Sequence, residues 1–195
     1  MPDHPIPSDA DKFIDQALTN PLNRIILERL PTLGLPDAWL VAGCLYQTVW
    51  NRLAGRSPGA LIKDYDIFYF DDADLSWDAE DRAIRRAERC FADLGITVEL
   101  RNQARVHLWY AERFGPGYPA LRSSRDGIDR YLVECTCVAL APTPGGAPEL
   151  YAPYGLGDLY DGILRPNPIN PRPALFAAKA ASYRARWPWL RVAGI

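Results

Sequence analysis

The chain has 195 residues, 48% of them apolar, and sets 24 acidic side chains against 22 basic ones for a formal charge of -2. This suffices for one domain with a substantial core; the charge balance argues against a general nucleic-acid binder but leaves room for a local basic groove. No apolar run approaches bilayer-spanning length and Met1-Pro2-Asp3-His4-Pro5 lacks the basic start of a secretory signal, so a cytoplasmic protein without membrane association is expected.

Residues 1–195 read as a single domain that begins with a helical segment at about 9–30. Phe13, Ile14, Ala17 and Leu18 make one apolar stripe; Asn20-Pro21 is an N-cap followed by Pro at the first helical position. Breakers in Pro31-Thr32-Leu33-Gly34-Leu35-Pro36 precede a strand, Ala38–Ala42, which runs into Gly43-Cys44 and a helix over 45–50. After a loop at 54–59 comes a second strand, Lys63–Phe70. Ser76 caps a helix whose inner face carries Ala83, Ala87, Cys90, Phe91 and Leu94, with Asp78, Glu80 and Asp81 at the positive end of its dipole. Gly95 ends it, and Ile96–Leu100 alternates as a short strand.

The second half is rich in turns. Gly115–Pro119 is expected to be a loop, Tyr131–Leu140 a strand with Cys135 and Cys137 on one face, and Pro142–Gly146 a hairpin tip before Leu150. Four Pro between 166 and 173 keep that stretch extended, and a last helix spans about Ala174 to Arg186. Cys44, Cys90, Cys135 and Cys137 have no zinc-ligand spacing and read as buried reduced thiols.

The chemistry concentrates in Lys63-Asp64-Tyr65-Asp66-Ile67-Phe68. Successive side chains of a strand point to opposite faces, so Asp64 and Asp66 point the same way, one pleat apart. Two adjacent carboxylates repel unless a cation joins them, and a divalent metal with oxygen ligands is the usual one.

A strand, a Gly turn opening a helix and then a strand carrying Asp-x-Asp resembles the nucleotidyltransferases of the DNA polymerase β superfamily. More closely, the chain resembles a bacterial nucleotidyltransferase-like family within it. The matching stretches are Trp39–Cys44 with Thr48–Asn51, Lys63–Asp66, Arg101–Tyr110, Ala152–Leu159, Arg165–Pro168 and Arg186–Pro188. The resemblance implies an α/β fold, a short mixed sheet with packed helices. It further implies transfer of a nucleotide from an NTP to an unidentified acceptor, with Mg²⁺ or Mn²⁺ as cofactor and a third carboxylate on a later strand. Glu99 is the best-placed third carboxylate and Asp71 a poorer one. Asp64, Asp66 and Glu99 are thus the expected catalytic and metal-binding set.

Gly43 allows close backbone approach to phosphate, and the following helix N-terminus offers N–H groups to an anion. Cys44 stands where the superfamily usually has Ser and is expected, with Gly43, at the bound substrate. Lys63, Arg101 and Arg105 can neutralise phosphates; Asn102, Gln103 and His107 can contact base or ribose. Asp158 and Asn167 read as structural, Asp158 as an N-cap. A non-catalytic protein that keeps the fold and binds a nucleotide or a protein remains the alternative.

Overall fold

The computed structural model describes residues 8–114 and 118–193; residues 1–7 and the first three residues of the loop expected at 115–119 lie outside them. Two short helices open the chain. α1 (Asp9–Ala17) is capped by Ser8, which accepts from the Asp11 amide while the Asp11 carboxylate accepts from the Ser8 amide. α2 (Pro21–Arg29) starts from Asn20 with Pro at its first turn. The Asn20 amide also donates to Tyr65 and Thr48, 3.2 and 3.3 Å away, so the cap is tied into the sheet and the next helix.

β1 (Trp39–Val41) is followed at once by α3 (Gly43–Leu53). Then come β2 (Asp64–Tyr69), α4 (Trp77–Phe91) and β3 (Thr97–Asn102), a parallel strand pair with a helical crossover. α5 (Val106–Phe114) and α6 (Ser124–Ile128) lead to β4 (Ala139–Ala141) and β5 (Glu149–Tyr151), joined across residues 142–148. α7 (Gly157–Asp161), β6 (Ile163–Leu164), α8 (Pro173–Arg186) and β7 (Arg191–Val192) complete the order.

The main sheet runs β3-β2-β1-β4-β5, parallel only between β2 and β3; β6 and β7 form a separate pair. Leu100, Ile67, Leu40 and Leu140 are register neighbours across four strands and all are buried. With Tyr65 and Tyr69 they form the apolar face, and Phe13, Ile26, Ala83, Ala87 and Phe91 from the helices join the same cluster. The alternation of β2 leaves Asp64, Asp66 and Phe68 on the opposite face.

α8 is fixed over that opposite face by aromatic packing. Trp50 of α3 meets Trp187 at 5.3 Å and Tyr183 at 5.4 Å between ring centroids. Tyr46 and Tyr183 share a hydroxyl hydrogen bond of 2.6 Å, and the Trp187 indole donates to Asn51 at 3.0 Å.

Several local expectations change. Residues 134–136 form a 3₁₀ turn rather than the middle of a strand. The Thr136 hydroxyl donates to the Val133 carbonyl at 2.7 Å and its amide to the same oxygen at 3.0 Å, a local closure that competes with sheet pairing. Cys135 and Cys137 are therefore buried in a turn and not aligned on a strand face. Asp158 lies inside α7, where its carboxylate accepts from Arg165 at 2.7 Å instead of capping the helix. Asn167 is buried and donates to the Asp129 and Tyr131 carbonyls at 2.6 and 2.7 Å.

One buried ion pair braces the end of β3. Arg105 is bonded to Glu80 of α4 and donates to the Leu75 carbonyl at 2.9 Å, while Glu80 also accepts from the Asn102 amide at 2.8 Å. Both side chains are almost wholly buried. Removing one partner leaves the other charge uncompensated, so Glu80→Ala is expected to cost about 3–5 kcal/mol. Urea unfolding of the variant against wild type at neutral pH measures it; a loss below about 1 kcal/mol would show that the pair does not brace the fold.

Candidate active site

Where β1 meets α3 the backbone makes an abrupt change of direction. Ala42, at φ 51° and ψ -111°, takes a strained positive-φ conformation there, while Gly43 is the first helical residue. The conformational demand expected at glycine thus falls on its neighbour. The Ala42 amide is held by the Val138 carbonyl at 2.9 Å, and its own carbonyl accepts from Leu45 at 2.9 Å. This arrangement aims the first turn of α3, whose opening N–H groups have no intrahelical partner, at the carboxylate face of the sheet.

A cavity of about 380 Å³ opens there. Gly43, Tyr46 and Gln47 form its α3 wall, Asp64, Asp66 and Phe68 its β2 wall, and Leu175, Lys179 and Tyr183 its α8 wall. Arg101, Gln103, Trp109, Tyr118, Arg130 and Tyr131 close the remainder. A Cβ on Gly43 would sit 3.1 Å from the Gln47 amide nitrogen, so its missing side chain keeps the helix end open toward this wall.

Asp64 and Asp66 are both half-buried. Asp66 faces Glu99 in the register of the neighbouring parallel strand. Burial, then Asp64, then Glu99 push the Asp66 carboxyl up to about 7, with Lys179 and Arg101 pulling it down. Lys179 is reached from the open cavity, yet its ammonium is hemmed by protein. That confinement and nearby Arg186 draw its pKa below the ordinary lysine value, against the pull of Asp66 and Asp64.

The structure brings Gly43, Asp64, Asp66, Gln103 and Arg101 to the cavity. Glu99 stands beside Asp66 but is half-exposed and engaged by Arg101 at 3.4 Å. Among the described residues no three acidic, His or Cys side chains are drawn close enough to enclose a metal ion as they stand. Cys44 is fully buried behind the turn, its thiol 3.6 Å from the Val41 carbonyl, and burial pushes its pKa well up. Lys63 is exposed and lies outside the cavity lining.

The remaining polar expectations fall on structural work. The Asn102 amide is consumed locally, accepting from the Asp71 and Ala104 amides at 3.1 Å and donating to the Asp71 carbonyl at 2.8 Å. Arg105 is committed to Glu80. Half-buried His107 does not line the cavity, and its Nδ1 is enclosed without a hydrogen-bond partner among the described residues. The Asp71 carboxylate caps the Ala73 amide at 3.1 Å.

Lys179 and Arg186 were missed by the sequence reading. Leu175, Lys179, Tyr183 and Arg186 recur at helical spacing on one face of α8, but two cations among four residues read as an ordinary solvated face.

A mixed sheet with packed helices, a strand-to-helix turn and paired aspartates on the adjacent strand define a polymerase β-type nucleotidyltransferase fold. A nucleotidyltransferase family model matches residues 28–192, and the chain belongs to that family. It is similar to a solved structure described as revealing a CCA-adding enzyme head domain, at 26% identity, 98% coverage of each chain and a TM-score of 0.76. A tRNA-processing enzyme in an apo form shares the fold at 15% identity and a TM-score of 0.50. That match covers 97% of this chain and 45% of the other. No curated protein matches the sequence. Among the described residues no helix is long and apolar enough to cross a membrane.

The raised pKa of Asp66 has a sign that can be checked without metal. Between the ordinary carboxylate value of 3.8 and about 7 the folded state holds a proton that the unfolded state has released. The contribution of this group to stability therefore falls as pH rises through that window. Asp66→Asn is expected to stabilise the protein in EDTA by ~1–3 kcal/mol at pH 8, after allowance for partial exposure, with no gain below pH 4. Denaturant melts at pH 4, 6 and 8 measure it; a gain independent of pH would remove carboxylate crowding as the cause.

Proposed function

We propose that the protein transfers a nucleotidyl group from an NTP to an acceptor hydroxyl in this cavity. The observation that carries the reading is Asp66, a carboxylate crowded by Asp64 and Glu99 and facing the open N-terminus of α3. Asp64 and Asp66 suit a hard divalent cation, because their oxygens lie on one strand face and their mutual repulsion is relieved by positive charge. Glu99 joins them if it leaves Arg101. A Mg²⁺ or Mn²⁺ bound there supplies charge that favours deprotonation of the hydroxyl and departure of pyrophosphate.

The chain's own groups do the positioning. The first turn of α3 directs N–H groups at the phosphates, and Gly43 permits the approach. Lys179 stands across the cavity, where its charge offsets that of the phosphates. The aromatic walls offer stacking surfaces to a base. In the transfer the acceptor hydroxyl gives its proton to water, its oxygen bonds to the α-phosphorus, the bond from that phosphorus to the bridging oxygen breaks, and pyrophosphate leaves with that oxygen.

The engagement of Glu99 by Arg101 favours a second reading, a nucleotide-binding protein that performs no transfer. Pyrophosphate release from each NTP, with Mg²⁺ or Mn²⁺ and a bacterial lysate fraction supplying acceptors, separates the two. Release by wild type that falls on the order of 10²-fold in Asp64→Asn and Asp66→Asn supports transfer. Glu99→Gln should lose release while keeping NTP affinity. Tight binding without release from any NTP would support the second reading. Gly43→Ala is expected to weaken NTP binding on the order of tenfold, about 1.4 kcal/mol, with the fold intact; unchanged affinity by calorimetry would remove the α3 turn from the phosphate site.

A further inference from the structure

The basic residues of this acidic chain are segregated. Residues 38–63 and 162–195 contain nine Lys and Arg and no Asp or Glu. The two stretches pack together through the aromatic junction of α3 and α8, beside the cavity.

Three of these cations form a continuous track. Lys179 stands in the cavity wall with Asp64 and Asp66. Arg186 is near enough to Lys179 to lower its pKa, and its guanidinium donates to Gln47 at 3.1 Å while lying 4.6 Å from the Trp187 ring centre. Arg56 donates to the Arg186 carbonyl at 2.7 Å. None of the three is in an ion pair among the described residues. Neutral partners hold Arg56 and Arg186 in place, so their charge is left for an external anion.

The run from Lys179 to Arg186 covers about 10 Å of helix, the rise of roughly three stacked nucleotides. That is more than a single triphosphate seated at the carboxylates requires. On the cavity side the track meets Phe68 and Tyr131, partly exposed rings on which bases can stack irrespective of sequence. A phosphate-spaced cation row leading to aromatic faces suits a strand of nucleic acid better than an acidic peptide, which has nothing to stack.

We propose that the Lys179–Arg186–Arg56 track binds the phosphates of a single-stranded nucleic acid and delivers the strand's terminal hydroxyl to the Asp64–Asp66 corner. This rests on the nucleotidyl-transfer reading for its chemistry but is tested separately from it.

The test uses a 5′-fluorescein-labelled 12-nucleotide RNA and full-length protein, with binding followed by anisotropy from 50 to 200 mM salt. Wild type is expected to bind with a salt slope of at least about -2, since each phosphate contact on a single strand adds roughly -0.7. Arg56→Gln should weaken binding on the order of threefold and flatten the slope by about 0.7. Arg89→Gln removes the same charge from α4 and should change neither. Calorimetric affinity for Mg²⁺-ATP should be equal in all three proteins. No RNA binding at 50 mM salt, equal losses in the two variants, or equally tight binding of poly-aspartate would overturn the proposal. RNA bound in the expected way but extended with no NTP would sink transfer to this strand while leaving strand binding standing. Pyrophosphate release with a small acceptor but no RNA binding would sink this inference alone.

Discussion

Electrostatic crowding at one corner of the sheet governs the rest of the structure. Asp64 and Asp66 are about 6.7 Å apart along the strand, with Glu99 in register beside the second. At an effective dielectric near 20, two full charges at that separation repel by about 2.5 kcal/mol. The crowding raises the Asp66 carboxyl to about 7, while Glu99 is engaged by Arg101 and Lys179 stands opposite. Each of these adjustments is local. The fold therefore holds an electrostatically unfavourable arrangement, which is what the proposed nucleotidyl-transfer reading rests on.

Two devices keep that corner in position. Ala42 accepts an unfavourable backbone conformation so that a central strand can pass directly into α3. The Trp50, Trp187, Tyr183 and Tyr46 cluster then locks α8 across the gap. Neither device touches the carboxylates, and both set what faces them. Much of the site's cationic side thus depends on the packing of a helix more than a hundred residues away in the sequence.

What was legible follows from this division. Asp-x-Asp on a period-2 strand, the strand–Gly–helix order and the Ser76 cap are local patterns, and the structure carries all three. The fold class could be read because those patterns occur in a fixed order. α6 carries a readable signal that went unused, Ser123 with Asp126 three residues on, where the Ser123 hydroxyl accepts from the Asp126 amide. α5 gave less, since Val106-His107-Leu108-Trp109-Tyr110 has residue types that suit a strand equally well. Asn102 and Arg105 looked like ligand contacts because their partners, Asp71 and Glu80, are brought to them only by the tertiary fold. Lys179 was passed over for the converse reason: nothing local marks a single lysine on a helix as facing a cluster of acids.

Cys44 carries a consequence for the environments in which this site can operate. It sits one residue beyond Gly43, where a reactive thiolate would put the adjoining strand-to-helix turn under the control of oxidants. Instead the sulfur is sealed in the core and held protonated by its surroundings. Oxidation and alkylation proceed through an accessible thiolate, so the turn is insulated from peroxide and electrophiles. Cys90, only partly covered and on α4, has no such shelter. Redox damage to this protein should therefore begin on α4, on an element that contributes nothing to the cavity lining, and leave the carboxylate corner chemically untouched.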